Sequence, residues 1–264
     1  MSGLVQSLLL AVWAGLCALD QFGPHLGFRK PLLASVGVGI ILGDLQTAII
    51  IGATLELMWL GVNNIGAYVP PDVISGTIVG ASIGILSNQD LATSIATAVA
   101  VAVPTALLVQ QINMLVMTLN ISLVHKADKE AEKVNYKGIG LLNWTGGVMF
   151  FLSRAVPVFI AVYLGANTID MILAFIPAKI LAGFGVASKV IPAVGLAMLL
   201  TMMLKKNMWM FLILGFVLSA YLGLPTLAIA LVGAVAAGIY DLIQSKSDNE
   251  SKMESKIEEG EYDL

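Results

Sequence analysis

Charged residues are scarce in this chain of 264 amino acids: they make up 12% of it, whereas hydrophobic residues make up 58%. An ordinary soluble domain has about a quarter charged residues and about half apolar residues. Since a soluble fold could not bury this much apolar surface, the composition predicts an integral membrane protein. The length allows several crossings, because one helical span takes about 20 residues.

Reactive and metal-binding residues are equally scarce. The single cysteine, Cys17, excludes an internal disulfide and lies in an apolar run, where a buried, inert thiol is expected. The two histidines, His25 and His125, do not have the spacing of a metal site. The sequence contains no GxxxxGK[ST] phosphate loop and no arguable Ser-His-Asp or Cys-His arrangement. We therefore predict no catalytic residue, no metal and no cofactor, and a net charge of −3 gives no reason to expect nucleic acid as a partner.

The sequence consists largely of long apolar runs. They do not alternate with polar residues as the strands of a membrane β-barrel do, so they predict helices. The runs fall at 3–19, 31–43, 46–62, 73–87, 91–124, 142–164, 168–178, 181–204, 208–222 and 225–244. Several are too short to cross a hydrocarbon core of about 30 Å, and the region 31–90 is rich in glycine. The prediction is an all-α integral membrane protein, a polytopic helical bundle with broken or re-entrant helices.

Two polar stretches divide the chain. The segment 125–137, HKADKEAEKVNYK, has the charge spacing of a short solvated helix with i,i+3 and i,i+4 ion pairs. The tail 245–264 contains three lysines and seven acidic residues and too little apolar surface to fold alone. We therefore expect a membrane-embedded domain over 1–244, with 125–137 as a polar loop, and a disordered tail over 245–264. Lysine and arginine positions favour the cytoplasmic side for both.

Acidic residues within the apolar part need a structural or functional reason, because a charge at mid-membrane costs about 2.5–3.5 kcal/mol on insertion scales. Asp44 and Asp90 precede apolar runs and are expected to be helix N-caps. Asp72 follows Pro71 and suits either an N-cap or a carboxylate that points into a cavity. Asp20 and Gln21 end the first apolar run.

Glu56 differs from these residues because apolar residues flank it on both sides, with no turn signal before Gly61. It is expected either to line a ligand site or to make a structural hydrogen bond. Asn63 and Asn64 follow near a predicted helix end, and amides both donate and accept hydrogen bonds, as sugar hydroxyls do. These residues together predict a membrane site for a polar solute.

Several stretches resemble the IIC component of the mannose/sorbose-type family of the bacterial sugar phosphotransferase system. They are RKPL (29–32), GIILGDLQTAIIIGATLEL (39–57), NIGAYVPPD (64–72), HKADKEAE (125–132) and IPAVGLAMLL (191–200). The resemblance implies a multi-pass permease subunit in the bacterial inner membrane that binds a sugar and moves it by an elevator-like motion. It also implies a IID membrane partner, soluble IIA and IIB (or IIAB) proteins that carry the phosphoryl group, and an oligomer of IIC–IID pairs in lipid.

On this resemblance, Glu56, Asn64 and Asp72 are the expected sugar ligands, with Asp20, Gln21 and Asn63 near them. Gln21 stands where mannose-type relatives have an acid, which leaves mannose, fructose, sorbose and amino sugars all open. Two other classes also remain open: an ion-coupled secondary transporter that uses Glu56 and Asp72 as coupling carboxylates, and a non-transporting assembly subunit.

We predict that residues 250–264 are dispensable, because their composition gives them no core to join. A chain truncated after residue 249 should take up sugar at the full-length rate when uptake is normalised to the amount of protein in the membrane. Lost uptake at unchanged abundance would show instead that the tail is a docking segment.

Overall fold

The computed structural model describes residues 3–62, 69–175, 178–204 and 208–242, and these residues form helices joined by short connections. The helices are α1 (Gly3–Phe22), α2 (Pro31–Leu42), α3 (Leu45–Trp59), α4 (Val73–Leu86), α5 (Leu91–Glu132), α6 (Tyr136–Phe175), α7 (Ala178–Met203), α8 (Trp209–Ala220) and α9 (Thr226–Leu242). The described residues contain no strand, so the expected all-α class is confirmed.

Three of these helices contain segments that are long and apolar enough to cross a membrane: Gly3–Phe22, Leu91–Glu132 and Tyr136–Gly165. Each also presents large apolar side chains outward. On α6 these side chains recur every three or four residues and form one continuous exposed stripe: Leu141, Trp144, Val148, Leu152, Val156, Ile160 and Leu164. A stripe of this kind is what a lipid-facing helix requires.

The helices α2, α3 and α4 are too short to cross. With 12, 15 and 14 residues they extend roughly 18–23 Å at 1.5 Å per residue, against a hydrocarbon core of about 30 Å. Gly43, at a left-handed φ of 87°, ends α2, and the next residue, Asp44, caps α3 by accepting a hydrogen bond from the Thr47 N–H. The two helices therefore form a tight hairpin, and the broken helices expected from the glycine-rich sequence are present. The expected N-cap roles of Asp44 and Asp90 are confirmed.

A ladder of small residues holds α4 against α5. A Cβ added to Gly76, Gly80 or Gly84 would lie 2.6–2.7 Å from a backbone carbonyl oxygen of α5. The facing residues are Ser94, Ala98, Ala102 and Ala106. Small residues allow this close approach of two backbones, which is the usual basis of helix packing in membranes. The ladder fixes the position of α4 along α5, and it therefore also fixes where the first turn of α4 lies.

The buried core of the first unit lies among α1 to α6. Leu10, Val38, Ile51, Ile78 and Val158, from five different helices, are all fully buried. The chain divides into two compact units, residues 1–201 and 202–264. In the second unit the rings of Phe211 in α8 and Tyr240 in α9 pack edge to face at 6.3 Å.

Two boundary predictions differ from the structure. The segment 125–137 is not a separate helix, because α5 continues to Glu132 and α6 begins at Tyr136. The expected i,i+3 ion pair is present between Lys133 and Glu130, at 3.0 Å. The predicted runs 142–164 and 168–178 largely belong to one helix, α6, since Gly165 does not interrupt it. Glycine inside a membrane helix costs helix propensity but leaves every backbone hydrogen bond in place. The tail 245–264 lies outside the described residues.

We expect Gly80→Ala to destabilise the protein, because the new Cβ would lie 2.6 Å from the Ala98 carbonyl oxygen and 2.9 Å from the Ala102 Cβ. Overpacking of this kind typically costs about 1–3 kcal/mol. The matched control is Gly140→Ala in α6, where nothing lies within 4 Å and alanine is the better helix former. Thermal unfolding of detergent-purified protein should show a lower midpoint for Gly80→Ala alone; equal midpoints would contradict the ladder.

Candidate functional site

A polar cavity of about 570 Å³ lies within the first unit, where the ends of α1 to α4 meet α5 and α6. Its polar lining side chains are Gln21, Arg29, Lys30, Glu56, Asp72, Asn113 and Arg154, and its apolar lining includes Phe22, Trp59, Leu60, Val69, Pro70, Ile74 and Met117. The volume falls in the range of small-molecule sites, about 300–1,000 Å³. This cavity is therefore the candidate binding site.

Asp72 stands at the first turn of α4 and is 6% exposed. Its Oδ1 accepts a hydrogen bond from the Ser75 N–H at 2.8 Å, so it is an N-cap as well as a cavity-lining residue. Its own N–H donates to the Ala106 carbonyl oxygen at 3.0 Å, which extends the α4–α5 contact by one more turn. The small-residue ladder thus determines where this carboxylate lies.

Arg154 of α6 is 2% exposed and pairs with Asp72. Its Nε and Nη2 both lie 2.9 Å from Asp72 Oδ2, and Asn113 Nδ2 donates to the same oxygen at 2.7 Å. Ser153 adjoins the cluster, with its hydroxyl 2.8 Å from the Phe150 carbonyl oxygen and 3.2 Å from Asn113 Oδ1. A buried charge is tolerated only with a partner and further hydrogen bonds, and both are present.

The end of α1 joins this cluster from the other side. Arg154 Nη2 donates to Gln21 Oε1 at 3.2 Å, and the guanidinium lies over the Phe22 ring at 5.6 Å. Phe22 also packs against Phe150 of α6, with ring centroids 4.4 Å apart. One arginine therefore links helices α1, α4 and α6 at the wall of the cavity.

Glu56 is partly exposed at another part of the wall. The N-terminus of α2 has no side-chain cap of its own, and Glu56 Oε2 accepts the hydrogen bond of the Leu32 N–H at 3.2 Å. Within the described part of the chain, its Oε1 makes no hydrogen bond. The structural hydrogen bond left open by the sequence is therefore present, and Glu56 also lines the cavity; its role as a ligand stays a prediction. Trp59, one turn later on α3, lines the same cavity.

Asp20 occupies a different position. It is 4% exposed, and its two oxygens accept from the Leu26 and Gly27 N–H groups at 2.5 and 3.0 Å. It shapes the α1–α2 loop that carries Arg29 and Lys30 to the cavity. The structure thus brings Gln21, Glu56 and Asp72 together at the cavity and places Asp20 behind the loop. Asn63 and Asn64 lie outside the described residues.

Arg154 and Asn113 were not predicted as site residues from the sequence. Arg154 lies in the apolar stretch FFLSRAVPVF, and the argument that singled out Glu56 applies to it equally, since a charge among apolar residues needs a partner. Asn113 gave a weaker signal, because it is one of four amides in a helix of 42 residues and nothing in the sequence distinguishes it from the others. The described residues contain no group of three or more His, Cys, Asp or Glu side chains placed to hold a metal ion.

A membrane-embedded helical bundle with a polar cavity at the ends of broken helices defines the class of a polytopic transport protein. Residues 4–239 match the family described as the PTS system sorbose-specific IIC component. The chain is 36% identical to the sorbose-specific EIIC component of Lacticaseibacillus casei, over 92% of this chain and 86% of that protein. It is 32% identical to the mannose-specific EIIC component of Escherichia coli K12, over 92% and 90%.

Two solved structures are also similar. One, the structure of a membrane protein, has a TM-score of 0.78 at 31% identity, and the match covers 89% of this chain and 94% of the other. The other, a mannose transporter ManYZ complex with microcin E492, has a TM-score of 0.57 at 32% identity, with coverages of 89% and 94%.

The chain belongs to the sorbose-specific IIC family of the phosphotransferase system. It is a sugar-permease subunit and a multi-pass protein of the bacterial inner membrane, and the resemblance read from the sequence is confirmed. The alternative of an ion-coupled secondary transporter is not favoured, because the relatives are phosphotransferase permease components.

We expect Asp72→Asn to destabilise the protein by several kcal/mol, because it leaves Arg154 buried without its counter-charge. The control Asp90→Asn makes the same change at the exposed N-cap of α5, and asparagine caps as well as aspartate. The two effects can be compared as the fraction of monodisperse protein and its unfolding midpoint in detergent. If the two variants behave alike, the ion pair is not what Asp72 contributes.

Proposed function

We propose that a hexose or amino sugar binds in this cavity and that Glu56 is its principal ligand. The observation that carries the proposal is that the two oxygens of the Glu56 carboxylate have different contacts. The Leu32 N–H donates to one oxygen, the other oxygen has no described partner, and the residue lines the cavity. A positioned carboxylate oxygen is a strong acceptor for sugar hydroxyls, and hydrogen bonds to charged groups are roughly twice as strong as neutral ones.

The other residues have graded roles in this proposal. Gln21 contacts the sugar directly, as do Asn63 and Asn64, while the Trp59 ring offers an apolar wall for a sugar face. Asp72 contributes mainly by holding Arg154, since both of its oxygens are already hydrogen-bonded. Asp20 acts through the loop that it orders.

The family and the similar ManYZ complex support a proposal for the partners. We infer a IID-type membrane subunit that assembles with this chain into an oligomer of IIC–IID pairs, and soluble IIA and IIB proteins that deliver the phosphoryl group from phosphoenolpyruvate. In this arrangement residues 1–244 are the translocation domain and the tail 245–264 is accessory. The chain binds and moves the sugar but does not itself carry the phosphoryl group. Phosphorylation of the sugar depends on IIB.

Uptake by vesicles from cells that express the chain with its partners tests the coupling. Sugar should accumulate as its phosphate when phosphoenolpyruvate and the soluble proteins are enclosed, and it should not accumulate with a proton or sodium gradient alone. Gradient-driven accumulation of unmodified sugar would instead establish the ion-coupled alternative, with Glu56 and Asp72 as coupling groups.

We predict that Glu56→Gln weakens sugar binding by one to two orders of magnitude, because a hydrogen bond to a charged group typically contributes about 1.5–3 kcal/mol. Asn64→Ala should cost less, about 0.5–1.5 kcal/mol, as expected for a neutral amide. The control is Asp44→Asn, which makes an acid-to-amide change at a residue that caps α3 and is absent from the cavity lining. Binding is measured on purified complex and normalised to folded protein. Unchanged affinity in Glu56→Gln with normal assembly would remove Glu56 from the site.

A further inference from the structure

The orientation of the Gln21 amide is fixed by its neighbour. A guanidinium has only donors, so Arg154 Nη2 can bond only the carbonyl oxygen of Gln21, at 3.2 Å. Arg154 is itself fixed by Asp72 through both Nε and Nη2. The amide therefore cannot exchange its ends without losing this hydrogen bond. Its Nε2 group, with two donors, makes no hydrogen bond to any other described residue, and Gln21 lines the cavity.

The described cavity wall has more free donors than free acceptors among its side chains. The oxygens of Asp72 accept from Ser75, Asn113 and Arg154. The single Ser153 hydroxyl proton is shared between the Phe150 carbonyl oxygen at 2.8 Å and the Asn113 carbonyl oxygen at 3.2 Å. Glu56 Oε1 is then the remaining charged acceptor in the described wall. The available donors are Gln21 Nε2, the buried Trp59 Nε1, and the side chains of Arg29 and Lys30, which make no ion pair with another described residue.

This imbalance bears on the substrate. A plain hexose carries hydroxyl groups, each of which brings a donor that itself needs an acceptor. A carbonyl or carboxylate oxygen brings acceptor capacity alone, and so satisfies a donor-rich wall without adding donors. A site built to hydrogen-bond such a group discriminates against the analogue that lacks it, because the buried polar group of the site is then left unpaired.

We propose that Gln21 is a specificity-determining residue, held with its Nε2 donors toward the cavity by the Asp72–Arg154 pair. It selects sugars that carry an acceptor-only oxygen, such as the acyl oxygen of an N-acylated amino sugar or the carboxylate of a sugar acid. Arg154 is a positioning residue in this selection, because it acts through Gln21. The inference rests on the proposed function, since it requires that the sugar bind in this cavity.

The test measures the affinity of a matched panel of labelled sugars for membranes that contain the full-length chain and its partner subunits. Phosphoenolpyruvate is left out. Each N-acetylhexosamine and each hexuronic acid is paired with its parent hexose, so the two sources of the acceptor oxygen are measured separately. The wild-type protein should bind at least one acceptor-bearing member about tenfold more tightly than its parent. Gln21→Glu replaces the donors by an acceptor, so it should weaken the binding of the acceptor-bearing sugar more than that of its parent and thereby abolish the ratio.

Two further variants sharpen the result. Gln46→Glu makes the same chemical change at an exposed position at the start of α3 and should leave the ratio at its wild-type value. Arg154→Lys keeps the charge but loses the planar fork, so the ratio should fall in whatever fraction folds, which a purely structural role would not produce. Gln21→Glu remains decisive if Arg154→Lys does not fold, because a glutamate at 21 can still accept from Arg154.

The outcomes separate this inference from the proposal beneath it. If hexoses bind in a Glu56-dependent manner but acceptor-bearing sugars bind no better, or Gln21→Glu leaves the ratio intact, Gln21 is not the selector and the cavity assignment survives. If no sugar's binding responds to Glu56→Gln, the cavity is not the sugar site and both proposals fall.

Discussion

The buried ion pair between Asp72 and Arg154 is the interaction on which the geometry of the cavity depends. Two charges removed from water are tolerable only where each satisfies the other and further hydrogen bonds complete the shell. Asp72 meets this condition through Ser75, Asn113 and Arg154, and Arg154 also reaches Gln21. Four helices therefore converge on one carboxylate–guanidinium contact. The contact places the helix ends that surround the cavity.

The hairpin of α2 and α3 adds the other half of the site. The N-terminus of α2 lacks a cap from its own sequence, and Glu56 supplies one from α3. A carboxylate at a helix N-terminus is stabilised by the free N–H groups and by the helix dipole. This explains how an acidic residue persists among apolar neighbours with no cation bonded to it in the described residues. It also keeps the carboxylate at the wall, where its second oxygen is available.

Much of this arrangement could be predicted from the amino-acid sequence, and the remainder could not for definite reasons. Apolar runs and glycine spacing locate nearly every helix, and the caps at Asp44, Asp72 and Asp90 follow from local chemistry alone. Contacts between distant residues are different: Arg154 lies 82 positions from Asp72 and Gln21 lies 133 from Arg154, so no local pattern connects them. The role of Asp20 shows the same limit, because its burial behind the loop depends on how that loop folds back. The assignment of site residues to the sugar stays a prediction.

The small-residue ladder between α4 and α5 contains positions that cannot accept a larger side chain, in contrast to positions in the cavity wall. Positions 76, 80 and 84 admit almost nothing larger than glycine, because the opposing backbone lies within 3 Å of any added carbon. Gln21 and Glu56 lie on other helices, outside this close contact between two backbones. A chain of this architecture can therefore vary the chemistry of its cavity and retain its frame. Selection for a new nutrient would then act on a handful of wall positions, and the rigid part of the protein would be inherited unchanged.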